Sequence, residues 1–63
     1  MLRPIKTFYV VGTPNYSEFT EARDIAREEN CVVELRWMSD ILVGYMHEYV
    51  FEDSNLWELT NKY

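Results

Sequence analysis

The segment that decides the fold is NYSEFTEARDIAREENCVVELRWM, residues 15–38, because it encodes a helix and a strand together with their boundaries. Apolar and small residues recur at helical spacing along it and predict a helix over about 16–29. These positions are Phe19, Ala22, Ile25 and Ala26. Asn15 with Glu18 fits a capping box at the start, and Ser17 is a second candidate for the N-cap. Asn30 suits the end because asparagine tolerates left-handed backbone.

The second half of this segment, residues 31–38, alternates as a half-buried strand does. One side of that strand would carry Cys31, Val33, Leu35 and Trp37. The other side would carry Val32, Glu34, Arg36 and Met38. We expect the first side to pack under the helix.

Upstream of the helix, residues 5–12 (IKTFYVVG) predict another strand. They are rich in β-branched and aromatic residues and close on the turn signal Gly12-Thr13-Pro14. The run shows little alternation, which favours a central strand covered on both faces.

Downstream, two segments each fit more than one structure. Residues 41–51 are either a strand or a helix. As a strand, one face would carry Ile41, Val43, Tyr45, His47, Tyr49 and Phe51. As a helix, one stripe would carry Leu42, Tyr45, Met46, Tyr49 and Val50. Their β-branched and aromatic content, with Gly44 inside, favours the strand. Residues 56–60 form either a short strand or a helical turn capped by Ser54, and both alternatives stay open.

These elements together predict an α+β fold, a single domain over residues 1–63 in the order β-α-β-β. One helix packs on one face of a three- to four-stranded sheet, and a short extra element lies near the C-terminus. A single helix leaves the other face uncovered, and large uncovered apolar patches mark interfaces. We expect that face to carry several of Val32, Met38, Leu42, Met46, Val50 and Trp57.

Composition and charge exclude several classes of protein. Eleven acidic residues against six basic ones give a net charge of −5. No basic cluster could displace counterions from a nucleic acid, so direct nucleic-acid binding is not expected. The apolar runs are far shorter than a membrane span, and no signal-peptide pattern is present, which predicts a cytoplasmic protein that does not bind membranes. One cysteine and one histidine, Cys31 and His47, cannot build a four-ligand zinc site, so neither a metal nor a cofactor is expected.

No catalytic pattern is visible either. His47 is the one general-base candidate near neutral pH, and its neighbour Glu48 would point to the opposite face of a strand. Gly12-Thr13-Pro14 lacks the spacing and the lysine of a phosphate-binding loop. We expect a protein that is not an enzyme.

Ten aromatic residues in 63 exceed what so small a core can hold. We expect the core to take Phe8, Tyr9, Phe19, Trp37 and Phe51. Tyrosine and tryptophan are favoured at interfaces, so the partner-binding aromatic residues would be Tyr45, Tyr49 and Trp57, with Tyr16 and Tyr63 as further candidates. The acidic residues that would steer a basic partner are Glu21, Asp24, Glu28, Glu48 and Asp53. Residues 45–63 combine the surplus aromatic residues with four of the eleven acidic residues and are the predicted binding region.

The resulting hypothesis is a small acidic protein-binding module. It would regulate or inhibit a host or partner enzyme with a basic, nucleic-acid-binding surface, in the manner of small phage-encoded proteins. The alternative is a homodimeric structural or accessory subunit that buries its spare apolar face against a second copy.

Short segments also resemble a known family. Ser39-Asp40-Ile41-Leu42-Val43, followed by Glu52-Asp53, Asn55 and Leu59-Thr60, is similar to the middle strands of the phage uracil-DNA glycosylase inhibitor. That family is small and acidic and imitates DNA, so the resemblance implies a DNA-mimic inhibitor as a further alternative. It spans residues 39–60 and assigns no role to an individual residue. The order β-α-β-β also looks like small phage proteins that bind host RNA polymerase, at the level of the fold alone.

Overall fold

The computed structural model describes residues 2–39 and 44–63, which form an α+β domain of three strands and two helices. In chain order the elements are β1 (Ile5–Tyr9), α1 (Tyr16–Glu29), β2 (Val32–Met38), β3 (Tyr45–Val50) and α2 (Leu56–Lys62). The predicted fold class, the order β-α-β-β and the short C-terminal element are confirmed. Both helices pack on the same face of the sheet.

Helix α1 begins and ends as its sequence predicts. The Asn15 side chain accepts a hydrogen bond from the Glu18 amide at 2.9 Å, and the Glu18 carboxylate accepts one from the Asn15 amide at 3.1 Å. Asn30 ends the helix in the left-handed conformation, with φ 51° and ψ 52°. In the described part of the chain, neither helix has the length and apolar character that crossing a membrane requires.

Strand β1 lies at an edge of the sheet, so the prediction that it is central and covered on both faces is wrong. The strand order is β1-β2-β3, with β2 parallel to β1 and antiparallel to β3. All five residues of β1 are exposed. The residue types predict an extended backbone, but they do not determine how many neighbours the strand has. Helix α1 packs on β2 and β3, which leaves β1 uncovered.

The core lies between the sheet and the two helices. Strand β2 contributes the side that its alternation predicts, although the strand begins at Val32 and Cys31 lies just before it. The buried apolar residues are Phe19, Ala22, Ala26, Cys31, Val33, Leu35, Trp37, Val50 and Leu56. Burial of apolar surface stabilises the fold by roughly 25 cal/mol per Å².

Two of the five aromatic residues expected in the core are there, and three are not. Phe19 and Trp37 are buried, whereas Phe8, Tyr9 and Phe51 are 40%, 71% and 44% exposed. Tyr9 lies on the sheet face away from the helices. Phe8 faces the helix side, but at the edge that α1 does not cover.

Strand β3 confirms the favoured alternative for the part of residues 41–51 that the structure describes. Tyr45–Val50 is a strand, and its register places Tyr45 and Tyr49 on one face with His47. Residues 40–43 lie outside the described residues, so the predictions for Ile41, Leu42 and Val43 concern positions that the structure does not describe.

Residues 56–60 are helical and belong to α2. Asn55 rather than Ser54 caps this helix, because the Asn55 side chain accepts from the Glu58 amide at 3.1 Å. The Tyr63 ring, just after α2, meets Trp37 edge-on with the ring centroids 5.1 Å apart. This contact holds the end of the chain against the core.

Candidate functional site

The face of the sheet that points away from the helices is the candidate site, and we call it the open face. The register of the three strands places alternate residues of each strand on it. Its members are Ile5, Thr7 and Tyr9 of β1, Val32, Glu34, Arg36 and Met38 of β2, Tyr45, His47 and Tyr49 of β3, and Phe51 just beyond β3. No described helix or strand covers this face.

Large apolar and aromatic side chains on the open face are well exposed. Tyr9 and Tyr45 are each 71% exposed, and Ile5 is 59% exposed. Met38, Tyr49 and Phe51 are between 39% and 49% exposed. Single exposed apolar residues are ordinary on protein surfaces, but contiguous apolar patches mark interaction sites.

Of the six residues proposed for this face, the structure places two on it, Val32 and Met38. Met46 and Val50 instead face the helices, because β3 pairs them with the core residues Trp37 and Val33. Leu42 lies outside the described residues, and Trp57 lies on α2.

A buried carboxylate lies at the centre of the open face. Glu34 is only 8% exposed. The Thr7 hydroxyl donates to Glu34 Oε1 at 2.8 Å, and His47 Nδ1 lies 3.1 Å from Glu34 Oε2. Because an ionised carboxylate only accepts hydrogen bonds, His47 carries a proton on Nδ1 in this contact. Glu34 therefore connects all three strands.

Arg36 completes this polar centre. Its Nε lies 3.5 Å from Glu34 Oε2. A side-chain hydrogen bond with Tyr9, and then the charge of Glu34, raise the pKa of the Arg36 guanidinium above its usual value. The Thr7 and His47 hydrogen bonds outweigh desolvation and hold the pKa of Glu34 below its usual value. Both groups are therefore charged at neutral pH, and their charges balance on this face.

An apolar hollow lies at one end of the open face. Ile5, Val32, Tyr49 and Phe51 line it, with Leu2 and Arg3 at the rim. Its volume is about 480 Å³. Arg3 is fixed there by a 3.1 Å ion pair with Glu52. A partner side chain that enters this hollow would contact the aromatic rings of Tyr49 and Phe51. Well-packed aromatic residues, tyrosine above all, are frequent among the side chains that dominate binding energy at protein interfaces.

The acidic residues proposed for partner binding do not lie on the open face. Glu21, Asp24 and Glu28 are exposed on α1, on the opposite side of the sheet. Asp53 is exposed in the turn after β3. Glu48 faces the helices, where it accepts hydrogen bonds from Tyr63 at 2.7 Å and Lys62 at 3.0 Å.

The structure thus separates features that the sequence places together in residues 45–63. It brings Tyr45 and Tyr49 to the open face with Tyr9, but it places Trp57 on the exposed side of α2. The contact between Glu34 and His47 joins residues on two different strands, which sequence reasoning missed. The strand alternation supplies only part of the signal. It places Glu34 on the side of β2 that points away from the helix, but the pairing with β2 decides which side of β3 carries His47.

The open face combines exposed aromatic and apolar side chains with a fixed polar centre. Among the described residues, no group of three His, Cys, Asp or Glu side chains is arranged to hold a metal ion.

The chain matches no known family model, and no curated protein or solved structure matches it. The resemblance to the uracil-DNA glycosylase inhibitor therefore rests on its short segments alone, of which residues 40–43 lie outside the described part of the chain.

Proposed function

We propose that the protein is a small protein-binding module that regulates or inhibits its partner, and that the open face is its main docking surface. One observation carries the proposal: six large apolar or aromatic side chains are exposed together around a fixed Glu34 centre. Interfaces favour tyrosine and methionine in this way. A surface whose polar groups are already paired loses little conformational entropy on binding.

The partner of this face is best described as an apolar protein surface that also offers hydrogen-bonding groups. Glu34 and Arg36 balance each other, so the open face itself does not select a partner by charge. The hydroxyl groups of Tyr9, Tyr45 and Tyr49 can each donate and accept hydrogen bonds with such a partner.

The negative charge of the chain acts on this contact mainly from a distance. The acidic residues of α1 are separated from the open face by the sheet, in a domain whose smallest dimension is 16 Å. The Debye length at physiological ionic strength is about 8 Å, so these charges are largely screened once the partner is docked. The net charge of −5 therefore favours a basic partner through the rate of encounter.

Affinity capture with matched variants tests the proposal. The double variant Tyr9→Ser/Tyr45→Ser truncates the two most exposed tyrosines of the open face, and Trp57→Ser truncates an aromatic residue of equal exposure on α2. Recovery of a stoichiometric partner should fall at least about tenfold with the double variant, since truncating an interface anchor commonly costs more than 1 kcal/mol. It should be unchanged with Trp57→Ser. If wild-type protein retains no stoichiometric partner, or if Trp57→Ser alone loses it, the proposal is wrong.

A second candidate function is a homodimeric accessory subunit, and the distribution of charge favours it. Two open faces can meet without bringing the acidic residues of α1 together, because those residues would lie on the outer sides of the dimer. Sedimentation equilibrium distinguishes the two functions. A dimer that Tyr9→Ser/Tyr45→Ser converts to a monomer supports self-association, whereas a wild-type monomer excludes it at the concentrations used.

A further inference from the structure

The outer edge of β1 has backbone groups that the sheet does not use. The Val10 amide donates to the Arg36 carbonyl at 2.9 Å, and the Val32 amide donates to the Pro4 carbonyl at 2.9 Å. Even-numbered residues of this segment therefore direct their amide and carbonyl groups toward β2. The same groups of Ile5, Thr7 and Tyr9 point outward, where no described strand pairs with them.

This edge lacks the devices that usually protect an edge strand. Ile5–Tyr9 contains neither a proline nor a bulge, and its single charge is Lys6. Edge lysines discourage strand addition because their charge must stay in water. Here the Lys6 ammonium is paired with Glu29 at the end of α1, so its side chain is held toward the helix and not outward along the edge.

A groove runs beside the same edge, between β1 and α1, and we call it the edge groove. It exists because α1 packs on β2 and β3 and leaves the helix-facing side of β1 uncovered. Its volume is about 200 Å³. Its apolar walls come from Phe8, Val10, Ala22, Ile25 and Leu35. Tyr9 and two acidic residues, Glu18 and Glu21, also line it.

We propose that this edge is a second docking site, which binds an extended segment of a partner protein as an added strand. The segment would place an apolar side chain in the edge groove and a lysine or arginine two residues away on the same side. A spacing of two follows from the alternation of side chains along a strand. The basic side chain would meet Glu18 and Glu21, since Lys6 already occupies Glu29 at the other end of α1.

Strand addition and the two carboxylates contribute different parts of the recognition. The outward amide and carbonyl groups of Ile5, Thr7 and Tyr9 supply main-chain hydrogen bonds, which give affinity with little dependence on sequence. The edge groove supplies the specificity. The β1 strand of a second copy fits less well as the added strand. Its lysine, Lys6, is already paired with Glu29 of the same copy. The site shares Ile5, Thr7 and Tyr9 with the open face, but it uses their outward backbone groups, and it does not depend on the function proposed for that face.

A heptapeptide, acetyl-TVTKTVT-amide, is the probe for this proposal. Its one face carries valine, lysine and valine in either chain direction, and its other face carries threonine. Titration followed by amide NMR should give saturable shifts and slowed hydrogen exchange at Ile5, Thr7 and Tyr9. The peptide in which glutamate replaces the lysine should bind at least tenfold more weakly. The open-face variant Tyr45→Ser should bind the probe as wild type does, which separates this site from the proposed function.

Two double variants of equal charge test the role of the carboxylates. Glu18→Gln/Glu21→Gln should weaken probe binding at least threefold, and it keeps the cap of α1 because glutamine also serves in a capping box. Asp24→Asn/Glu28→Gln removes the same charge from positions that do not line the edge groove, and it should leave binding unchanged. Circular dichroism checks that both variants fold.

Several results would overturn the proposal. The first is that saturating probe shifts no amide NMR signal of β1. The second is that the two double variants weaken probe binding equally. The third is that the glutamate peptide binds as tightly as the lysine peptide. Slowed exchange in β1 that depends on protein concentration without any probe would show that a second copy occupies the edge, which also contradicts the proposed occupant.

Discussion

Glu34 and His47 are joined across β2 and β3 by a contact of 3.1 Å between carboxylate Oε2 and imidazole Nδ1. The contact is diagonal, because the register places Tyr49 opposite Glu34 and His47 opposite Arg36. Together with the hydroxyl of Thr7 at 2.8 Å, it satisfies a carboxylate that is almost completely buried in an otherwise exposed face. Buried charges are tolerated when they are paired in this way.

The first prediction concerns the acid stability that Glu34 contributes. Hydrogen bonds from Thr7 and His47 keep the pKa of Glu34 in the folded protein below its usual value of 4.5. The folded state then binds fewer protons than the unfolded state, so this contribution is complete above pH 4.5 and is lost as the pH falls through the folded pKa. Urea unfolding between pH 3 and pH 7 should give a shallower decline with acid for Glu34→Gln than for wild type.

Asp24→Asn is the charge-matched control for that experiment, since Asp24 is exposed on α1. The free energy of unfolding of Asp24→Asn should fall with acid nearly as steeply as that of wild type. That of Glu34→Gln should fall less steeply. Identical declines for wild type and Glu34→Gln would show that the hydrogen bonds to Glu34 do not stabilise its charged form.

The second prediction concerns the alkaline side and Tyr63. Burial, and then the hydrogen bond to Glu48, raise the pKa of Tyr63 to about 12. Burial also raises the pKa of Glu48, but hydrogen bonds from Tyr63 and Lys62 outweigh it and leave that pKa below its usual value. Neutral Tyr63 therefore stabilises the fold fully below pH 10, and this contribution disappears as the pH rises through about 12.

Absorbance of tyrosinate during an alkaline titration measures this directly. Wild type should show a late phase near pH 12 that Tyr63→Phe removes and that Tyr45→Phe keeps. A late phase that survives Tyr63→Phe would place the raised pKa on another tyrosine.

Much of the fold follows from signals that lie close together in the sequence. The capping box at Asn15 and Glu18 and the left-handed Asn30 act within a few residues, and both ends of α1 are where they predict. The alternation over residues 31–38 likewise predicts which side of β2 enters the core.

The parts that were mistaken or missed depend on strand order and register, which are not local properties. The run at β1 indicates an extended backbone, but its coverage depends on where α1 lies, and for that reason Tyr9 is exposed. The contact between Glu34 and His47 depends on the register of β2 and β3. Residues 56–60 fit a strand and a helical turn equally well, because so short a segment shows no clear period. The sequence predicts Ser54 as the cap, whereas the structure has Asn55.

The third prediction compares adjacent residues of α2. Leu56 is buried in the core, whereas Trp57 is 70% exposed. Leu56→Ala should lower the free energy of unfolding by about 2–5 kcal/mol, because it removes buried methyl groups and leaves a cavity. Trp57→Ala should change it by no more than about 0.5 kcal/mol. Urea unfolding measures both values, and equal losses would mean that α2 is not docked through Leu56.

The fourth prediction uses Cys31 as a probe of opening. Its side chain is fully buried, and its thiol lies 3.9 Å from the Ile25 carbonyl oxygen. A thiol reagent can reach it only after the helix and sheet layers separate, so native protein should react far more slowly than protein in urea. The variant Cys31→Ala/Glu28→Cys carries its single cysteine at an exposed position of α1 and should react at once in both conditions. Native labelling of Cys31 at the rate of that control would show that the core around it is open to solvent.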